Sequence, residues 1–537
     1  MIYTTLKFRL IVFLVSLLLP SLGSAILRAQ EPQSPHLEKR GVATQLIVNG
    51  KPFLMLAGEL HNSSSSSLAY MKPIWPKLQA LGLNTVVTPL SWELLEPNEG
   101  SFDFTLVDGL IDQARAAHEH IVFLWLASWK NGMSSYAPAW VKSNSRRFPR
   151  VIEHGNPVDI LSPLATSTEG ADARAFAALM RHIKQIDGGG HTVLLMQVEN
   201  EVGVLGDSRD HSPAANRAFD SAVPEQLTSY LKAHYNKLYP DLRARWDAHG
   251  DKTSGTWTDV FGDNQRTDEI FMAWNYARYI QAVAKAGKAE YDIPMYVNTW
   301  PGRGSTPPGE FPSGGPEPWV MDVWRAAGSA IDVYTPDLYK ADFEQWCHLY
   351  HRDGNPLYIS ETRGHDIGAA NVFYTLGEES GLGFSPFGIE SEASNSDPLG
   401  ESYHALAQLT PLILAHQSAG DIRGFVLGGD ISDVDYTMGG YTLHVTQDNS
   451  ATPGFGILIA IGEDEFLGVG KGFRVTFQPR SGSGKLVGID GIEEGVFENG
   501  KWLPGRRLNG DEDNQGKDWR FDSHSVKIEK VILYRYE

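Results

Sequence analysis

The sequence predicts an α/β fold: a (β/α)8 barrel of the TIM type, followed by a smaller all-β, sandwich-like domain. Three observations predict it. Apolar runs recur eight times between residues 53 and 390, with helix-periodic segments between them. These runs are apolar throughout rather than alternating, as parallel strands covered on both faces must be. From about residue 420 the texture changes to short β-type runs broken by Gly, Asp and Asn.

Taken in order, "MIYTTLKFRLIVFLVSLLLPSLGSAILRAQ" reads as a secretory signal over residues 1–25. Lys7 and Arg9 form its charged start, Leu10 to Leu22 its apolar middle, and Gly23-Ser24-Ala25 a cleavage site. A signal-anchor is the alternative, although the apolar run is short for a membrane span. "TQLIVNGKPFLMLAGEL" reads as a hairpin turning at Asn49-Gly50 and leading into the first barrel strand. The barrel occupies residues 37–418. Its strands lie in "FLMLAGEL", "TVVTPLSW", "IVFLWLASW", "TVLLMQVENEV", "PMYVNTW", "IDVYTPDLY", "PLYISETRG" and "LGFSPFGIE". Helices are expected in "SLAYMKPIWPKLQALG", "LVDGLIDQARAAH", "ARAFAALMRHIKQI", "FYTLGEES" and "SYHALAQLTPLILAHQ". Two inserts, about residues 130–167 and 236–263, follow strand ends, where barrels carry their functional loops. An open doubly wound sheet is the alternative, but "GELHNSSSSS" after the first strand lacks the Gly-rich phosphate turn of that fold. Residues 419–537 form the β domain.

Composition narrows the function. A formal net charge of -19 disfavours nucleic acid and anionic membranes, both of which need a basic face. The single cysteine, Cys347, permits neither an internal disulfide nor a Cys-based metal site. A secreted protein, periplasmic or extracellular and without a stable membrane anchor, is therefore expected. The oligomeric state is not legible.

Strand ends at the C-terminal face of a barrel carry its chemistry. They supply Glu59, His61 and Asn62; Trp92 and Glu93; Trp129; Glu199, Asn200 and Glu201; Asn298 and Trp300; Tyr334, Asp337 and Tyr339; and Glu361 with Arg363. No histidine pair at ligand spacing, no nucleophile elbow and no strand-end lysine is read among them. This disfavours a metal site, an esterase and an aldolase, so no metal and no cofactor are expected. Carboxylates with aromatics and amides suit carbohydrate chemistry. One carboxylic acid protonates a glycosidic oxygen while a second carboxylate meets the anomeric carbon, and aromatic rings stack on sugar faces. Glu201 and Glu361 end the fourth and seventh strands, on opposite walls, and are the candidate pair. Glu199, two residues before Glu201, is expected on the same strand face, supporting the site from below. Structural roles stay open for several of these residues. Glu59 and Glu93 could cap loops, His61 could be a buried structural imidazole, and Trp129, Trp300, Tyr334 and Tyr339 could pack the rim. Arg363 could pair with a neighbouring carboxylate.

These residues resemble the retaining glycosidases of clan A. "QVENEVG" resembles the Q-I/V-E-N-E-Y/F/V-G signature of glycoside hydrolase family 35, the β-galactosidases. "LGLNTVVTPLSWELLEPNEGSFDF" is similar to that family's G-x-N-T-V/I and W-x-x-x-E-P-x-x-G-x-F/Y-D-F segment, and "APAWV" to its P-A-W-L. The resemblance covers roughly residues 50–390, with family 42 the related alternative. It implies Glu201 as general acid/base, Glu361 as nucleophile, Asn200 on the sugar 2-hydroxyl and Tyr334 as a hydrogen-bond partner of the nucleophile. The implied function is a retaining exo-β-glycosidase, most of all a β-galactosidase, acting on a neutral β-glycoside. The chain departs from the family at Trp92-Glu93-Leu94-Leu95-Glu96-Pro97, where W-N-x-H-E-P is expected, at Gly58-Glu59-Leu60-His61-Asn62, and at Thr362-Arg363-Gly364. These departures surround the sugar pocket. They keep open a β-glucosidase, an arabinosidase, an endo-acting enzyme, or a non-catalytic carbohydrate-binding barrel.

Overall fold

The computed structural model describes residues 33–302, 305–352, 354–392, 397–480 and 486–537. The expected signal at residues 1–25 lies outside them. Eight parallel strands close a barrel in sequential order: β1 Met55–Glu59, β2 Thr85–Ser91, β3 His120–Lys130, β4 Val193–Asn200, β5 Met295–Thr299, β6 Val333–Leu338, β7 Ile359–Thr362 and β8 Gly383–Pro386, with β8 pairing back to β1. All eight fall in the apolar runs read from the sequence. They are buried on both faces because helices wrap the outside, which is why their sequences do not alternate.

Before β1, the strands His36–Arg40, Ala43–Val48 and Lys51–Phe53 form an antiparallel sheet. Its last turn is Asn49-Gly50, both at positive φ (53° and 73°), the two-residue geometry that matches strand twist. Leu46 and Val48 of this sheet pack with Met55, Val87, Val122, Leu124, Leu194 and Tyr296 in one apolar cluster. The N-terminal end of the barrel is thereby closed, leaving chemistry to the opposite mouth.

The segment "SLAYMKPIWPKLQALG" departs from the single helix expected of it. It forms two short helices, Leu68–Met71 and Trp75–Ala80. Pro73 lacks an N–H for a continuous ladder, and Pro76 occupies a first-turn position where that N–H is not needed. The first insert folds into Ala139–Lys142 and a hairpin, Arg150–Glu153 with Asn156–Leu161. The second is helical at Pro240–Asp247 and Trp257–Phe261, and precedes the long helix Gln265–Glu290.

The C-terminal region is a β-sandwich. A six-stranded antiparallel sheet that starts at Ile422–Leu427 faces a four-stranded one made of Asp433–Met438, Tyr441–Gln447, Phe473–Pro479 and Trp519–Phe521. Phe425, Leu458, Phe466 and Val531 from the first interdigitate with Leu443, Val475, Trp519 and Phe521 from the second. The outer face of the six-stranded sheet joins the main core of the barrel: Ile422, Phe455, Ile457 and Val469 pack there, with Phe455 against Phe373 at 5.1 Å between ring centroids. Two glycines allow the close approach. A Cβ on Gly424 would lie 2.3 Å from the Phe373 carbonyl oxygen, and one on Gly377 2.7 Å from Gly424 Cα.

Candidate active site

Because β4, β6 and β7 end at one mouth, Glu201, Asp337 and Glu361 converge there, with one carboxyl oxygen of each lying within 4.8 Å of the other two. All three are buried. At an effective dielectric near 20, two carboxylates that close repel by roughly 3 kcal/mol, so the cluster favours at least one proton. That spacing alone would also admit a divalent cation. The positive charge acting on Glu201 and Glu361 comes from Lys130.

Glu201 is held from two sides. Its backbone N–H donates to Asn298 Oδ1 at 2.8 Å, and Asn131 Nδ2 donates to its carboxylate. Burial and then the Glu361 charge push its carboxyl up to about 7, against the opposing pull of Asp337 and Lys130. Glu361 accepts from the Tyr339 hydroxyl at 2.6 Å, while its second oxygen has no protein partner. Burial raises its pKa too, against the lowering pull of Lys130, Tyr339 and Asp337. The two groups differ in their partners: Glu361 takes the Tyr339 hydroxyl, whereas Glu201 is bonded by the Asn131 amide and stands against both other carboxyls. Asn200, the last residue of β4, is buried with both side-chain polar atoms unpartnered, as are both oxygens of Glu59 at the end of β1. Buried polar atoms left open at a mouth are what a hydroxylated ligand would satisfy.

The rim is partly as expected. Trp300 is 41% exposed just past β5, and Tyr339 is 36% exposed just past β6. His61, exposed, has Nε2 3.0 Å from Ser391 Oγ and stands edge-on to Phe387. It lines, with Tyr339, Arg363 and His365, a groove of about 610 Å³. The Asn62 side-chain oxygen is buried without a partner.

Other expectations are corrected. Glu199 does not share a face with Glu201. Both residues sit at positive φ (64° and 46°), which breaks strand alternation and turns the Glu199 carboxylate outward. There it accepts backbone N–H groups of Ser128 at 2.9 Å and Trp129 at 2.8 Å and faces the carboxylate of Asp172 on the helix Thr166–Asp187. Trp129 also faces outward, edge-on to Tyr276 and Tyr279, with Nε1 on the Leu161 carbonyl. Trp92 is fully buried, donating to Glu96 at 2.7 Å and packed against Trp140, so neither indole offers a sugar platform. Glu93 pairs with Lys142 at 3.2 Å. Asn298 uses both amide atoms on the protein, on Glu201 and on Asp337. Tyr334 lies near the start of β6, remote from the mouth, beside Trp324; Tyr339 is the tyrosine that meets Glu361. Arg363 is exposed and has no ion pair among the described residues. Finally, a strand-end lysine does exist: Lys130 closes β3, and its charge lowers the pKa of Glu59, Glu201 and Glu361. It follows Trp129 directly, at the end of the apolar run "IVFLWLASW", and that placement is the sequence signal for it.

Residues 69–261 match a family model described as "Beta-galactosidase", that of glycoside hydrolase family 42, and residues 399–520 match one described as a domain of unknown function, DUF5597. Among curated proteins, the chain is similar to a β-galactosidase of Xanthomonas manihotis, 34% identical over 209 residues, covering 36% of this chain and 29% of the relative. It is also similar to β-galactosidase 14 of Arabidopsis thaliana, 29% identical over 182 residues, covering 31% and 19%. The chain thus spans less than a third of the length of these curated relatives. Solved structures that superpose on it include the β-amylase catalytic domain of Paenibacillus polymyxa, with TM-score 0.46, 12% identity and coverage of 66% of this chain and 98% of that one. The β-galactosidase of Bacillus circulans sp. alkalophilus gives TM-score 0.42, 16% identity and coverage of 67% and 57%. In sequence, then, the stretch that carries Asn200 and Glu201 lies within the residues that match the β-galactosidase model.

Proposed function

We propose that this protein is a retaining exo-β-glycosidase that removes terminal β-linked galactose, and that it is exported to do so. The reading rests on one observation above all: Glu201 and Glu361 bring carboxyl oxygens within 4.8 Å of each other across the barrel mouth. Inverting glycosidases need about 6.5 to 9.5 Å between their carboxyl groups to seat a water, whereas retaining ones need about 5 to 5.5 Å. Similarity of residues 69–261 to the β-galactosidase model supports galactose as the sugar.

The chemistry follows from the two environments. Glu361, anionic and oriented by Tyr339, attacks the anomeric carbon. Glu201, holding its proton up to about pH 7, donates it to the departing oxygen. Water then attacks the glycosyl-enzyme ester with Glu201, now ionised, as base. Asn200 offers its free amide to the 2-hydroxyl, and Trp300 stacks on the sugar beyond the scissile bond. The substrate is a neutral β-galactoside, and neither metal nor cofactor takes part.

A panel of aryl α- and β-glycosides, with the first-formed product anomer followed by NMR, tests this. Hydrolysis of the β-galactoside with β-galactose released first is expected. Release of the α-anomer would refute retention, and preference for another glycoside would refute galactose.

A further inference from the structure

The third carboxyl at the mouth has no part in the scheme above, yet it lies beside both groups that do. Asp337, near the end of β6, brings a carboxyl oxygen within 4.8 Å of one on Glu201 and one on Glu361. It is the most enclosed of the three, 2% exposed against 5% and 7%. Its oxygens are also held in place. Asn298 Nδ2 donates to Oδ2 at 2.5 Å, and Ser360 Oγ donates to Oδ1 at 3.1 Å. Asn298 in turn accepts the Glu201 backbone N–H, so one amide fixes both carboxyls relative to each other. Other groups facing Asp337 are Glu59 and the phenols of Tyr296, Tyr339, Tyr350 and Tyr358, none of them cationic. Burial first, then repulsion from Glu361 and Glu201, push its carboxyl well above the usual carboxylate range.

We propose that Asp337 is a positioning residue that stays a neutral carboxylic acid throughout turnover, its O–H swinging from Glu361 to Glu201 as the negative charge moves between them. The inference rests on the retaining reading above. In the free enzyme Glu361 carries the charge and takes the Asp337 hydrogen bond. When the C1–Oε bond to Glu361 forms and the C1–O bond to the leaving group breaks, the Glu201 proton goes to the leaving oxygen. The charge now sits on Glu201, and the Asp337 O–H turns to it. Attack of water reverses each change: its proton goes to Glu201, and the ester to Glu361 breaks. Asp337 exchanges no proton with substrate. It solvates whichever carboxylate is ionised at a site that excludes water.

Asp337→Asn and Asp337→Ala in the full chain test this through pH profiles of kcat/KM on an activated aryl β-galactoside. Asn keeps a neutral donor, so both limbs should stay within about half a pH unit of wild type, with the rate within about tenfold. Ala removes the donor. The acid limb should move up, because Glu361 becomes harder to ionise, and the rate should fall about 10²- to 10³-fold. Limbs displaced downward in Asp337→Asn would mean that Asp337 is an anion in the wild type, and equal behaviour of the two variants would mean the hydrogen bond does nothing; either overturns the proposal. A second readout needs no turnover: the infrared difference between wild type and Asp337→Asn at pH 7 should contain a neutral-acid carbonyl band, and a carboxylate band in its place overturns the proposal. An inactive wild type with the neutral-acid band present would refute the glycosidase reading while leaving the protonation state of Asp337 established.

Discussion

Two buried acidic clusters lie back to back on β4, and they differ in how completely they are satisfied. Behind the barrel wall, Glu199 accepts backbone amides of β3 and meets Asp172. Asp172 in turn is bonded by Trp125, Ser128 and Tyr279. At the mouth, Glu361 keeps one oxygen unpartnered, and Asn200 and Glu59 keep both polar atoms so. Burying polar atoms without partners costs stability, and a fold retains them where a ligand completes them. The closed cluster reads as architecture and the open one is the proposed site, although both present a glutamate from the same tripeptide.

Substitutions can break this contrast, and the largest effect belongs to the open side. Glu361→Gln should lower kcat on an aryl β-galactoside by about 10⁴-fold or more, with the thermal midpoint kept, because the proposed nucleophile is gone. Glu201→Ala comes next. Substrates with poor leaving groups should slow by about 10² to 10⁴, those with good ones much less, since only the former need the proton. Wild-type kcat/KM should fall as pH rises through about 7, where Glu201 loses that proton, and this limb should vanish in Glu201→Ala.

On the closed side the readout changes from rate to stability. Trp129→Ala should cost about 3 to 5 kcal/mol in unfolding, because a fully buried indole is removed from between Tyr276 and Tyr279. Trp300→Ala, at the exposed rim, should stay within about 0.5 kcal/mol of wild type and raise KM. Equal stability losses for the two would erase the distinction between wall and mouth. The smallest effect is expected for Lys130→Met. Its ammonium lowers the Glu201 pKa, so its removal should move the alkaline limb upward while the chain remains folded.

Much of this was legible in the sequence where burial is total. Strands covered on both faces must be continuously apolar, so β1 to β8 announced themselves, and the glutamates that end β4 and β7 stood out against those runs. What escaped depends on backbone direction rather than residue type. Nothing in "VENEV" reveals that Glu199 adopts left-handed φ, yet that one dihedral sends its carboxylate to the helices instead of the mouth. Tyr334 stands second in β6 and Tyr339 just past its end, so choosing the wrong tyrosine moves a hydroxyl from the mouth towards the other end of the barrel. Lys130 and Asp337 are single residues whose roles exist only because other strands converge on them. Trp92 and Trp129 look like sugar platforms by type, but their indole nitrogens are already bonded to Glu96 and Leu161.

The pairing of Glu201 with Glu361 is tested most directly by trapping the glycosyl-enzyme. Incubation with an activated 2-deoxy-2-fluoro-β-galactoside, which slows release of the covalent sugar, is followed by intact mass and peptide mapping. One fluorosugar per chain, attached to Glu361 in "PLYISETRG", is the expected result. A chain that hydrolyses the ordinary galactoside yet gains no mass, or carries the label on another residue, would contradict it.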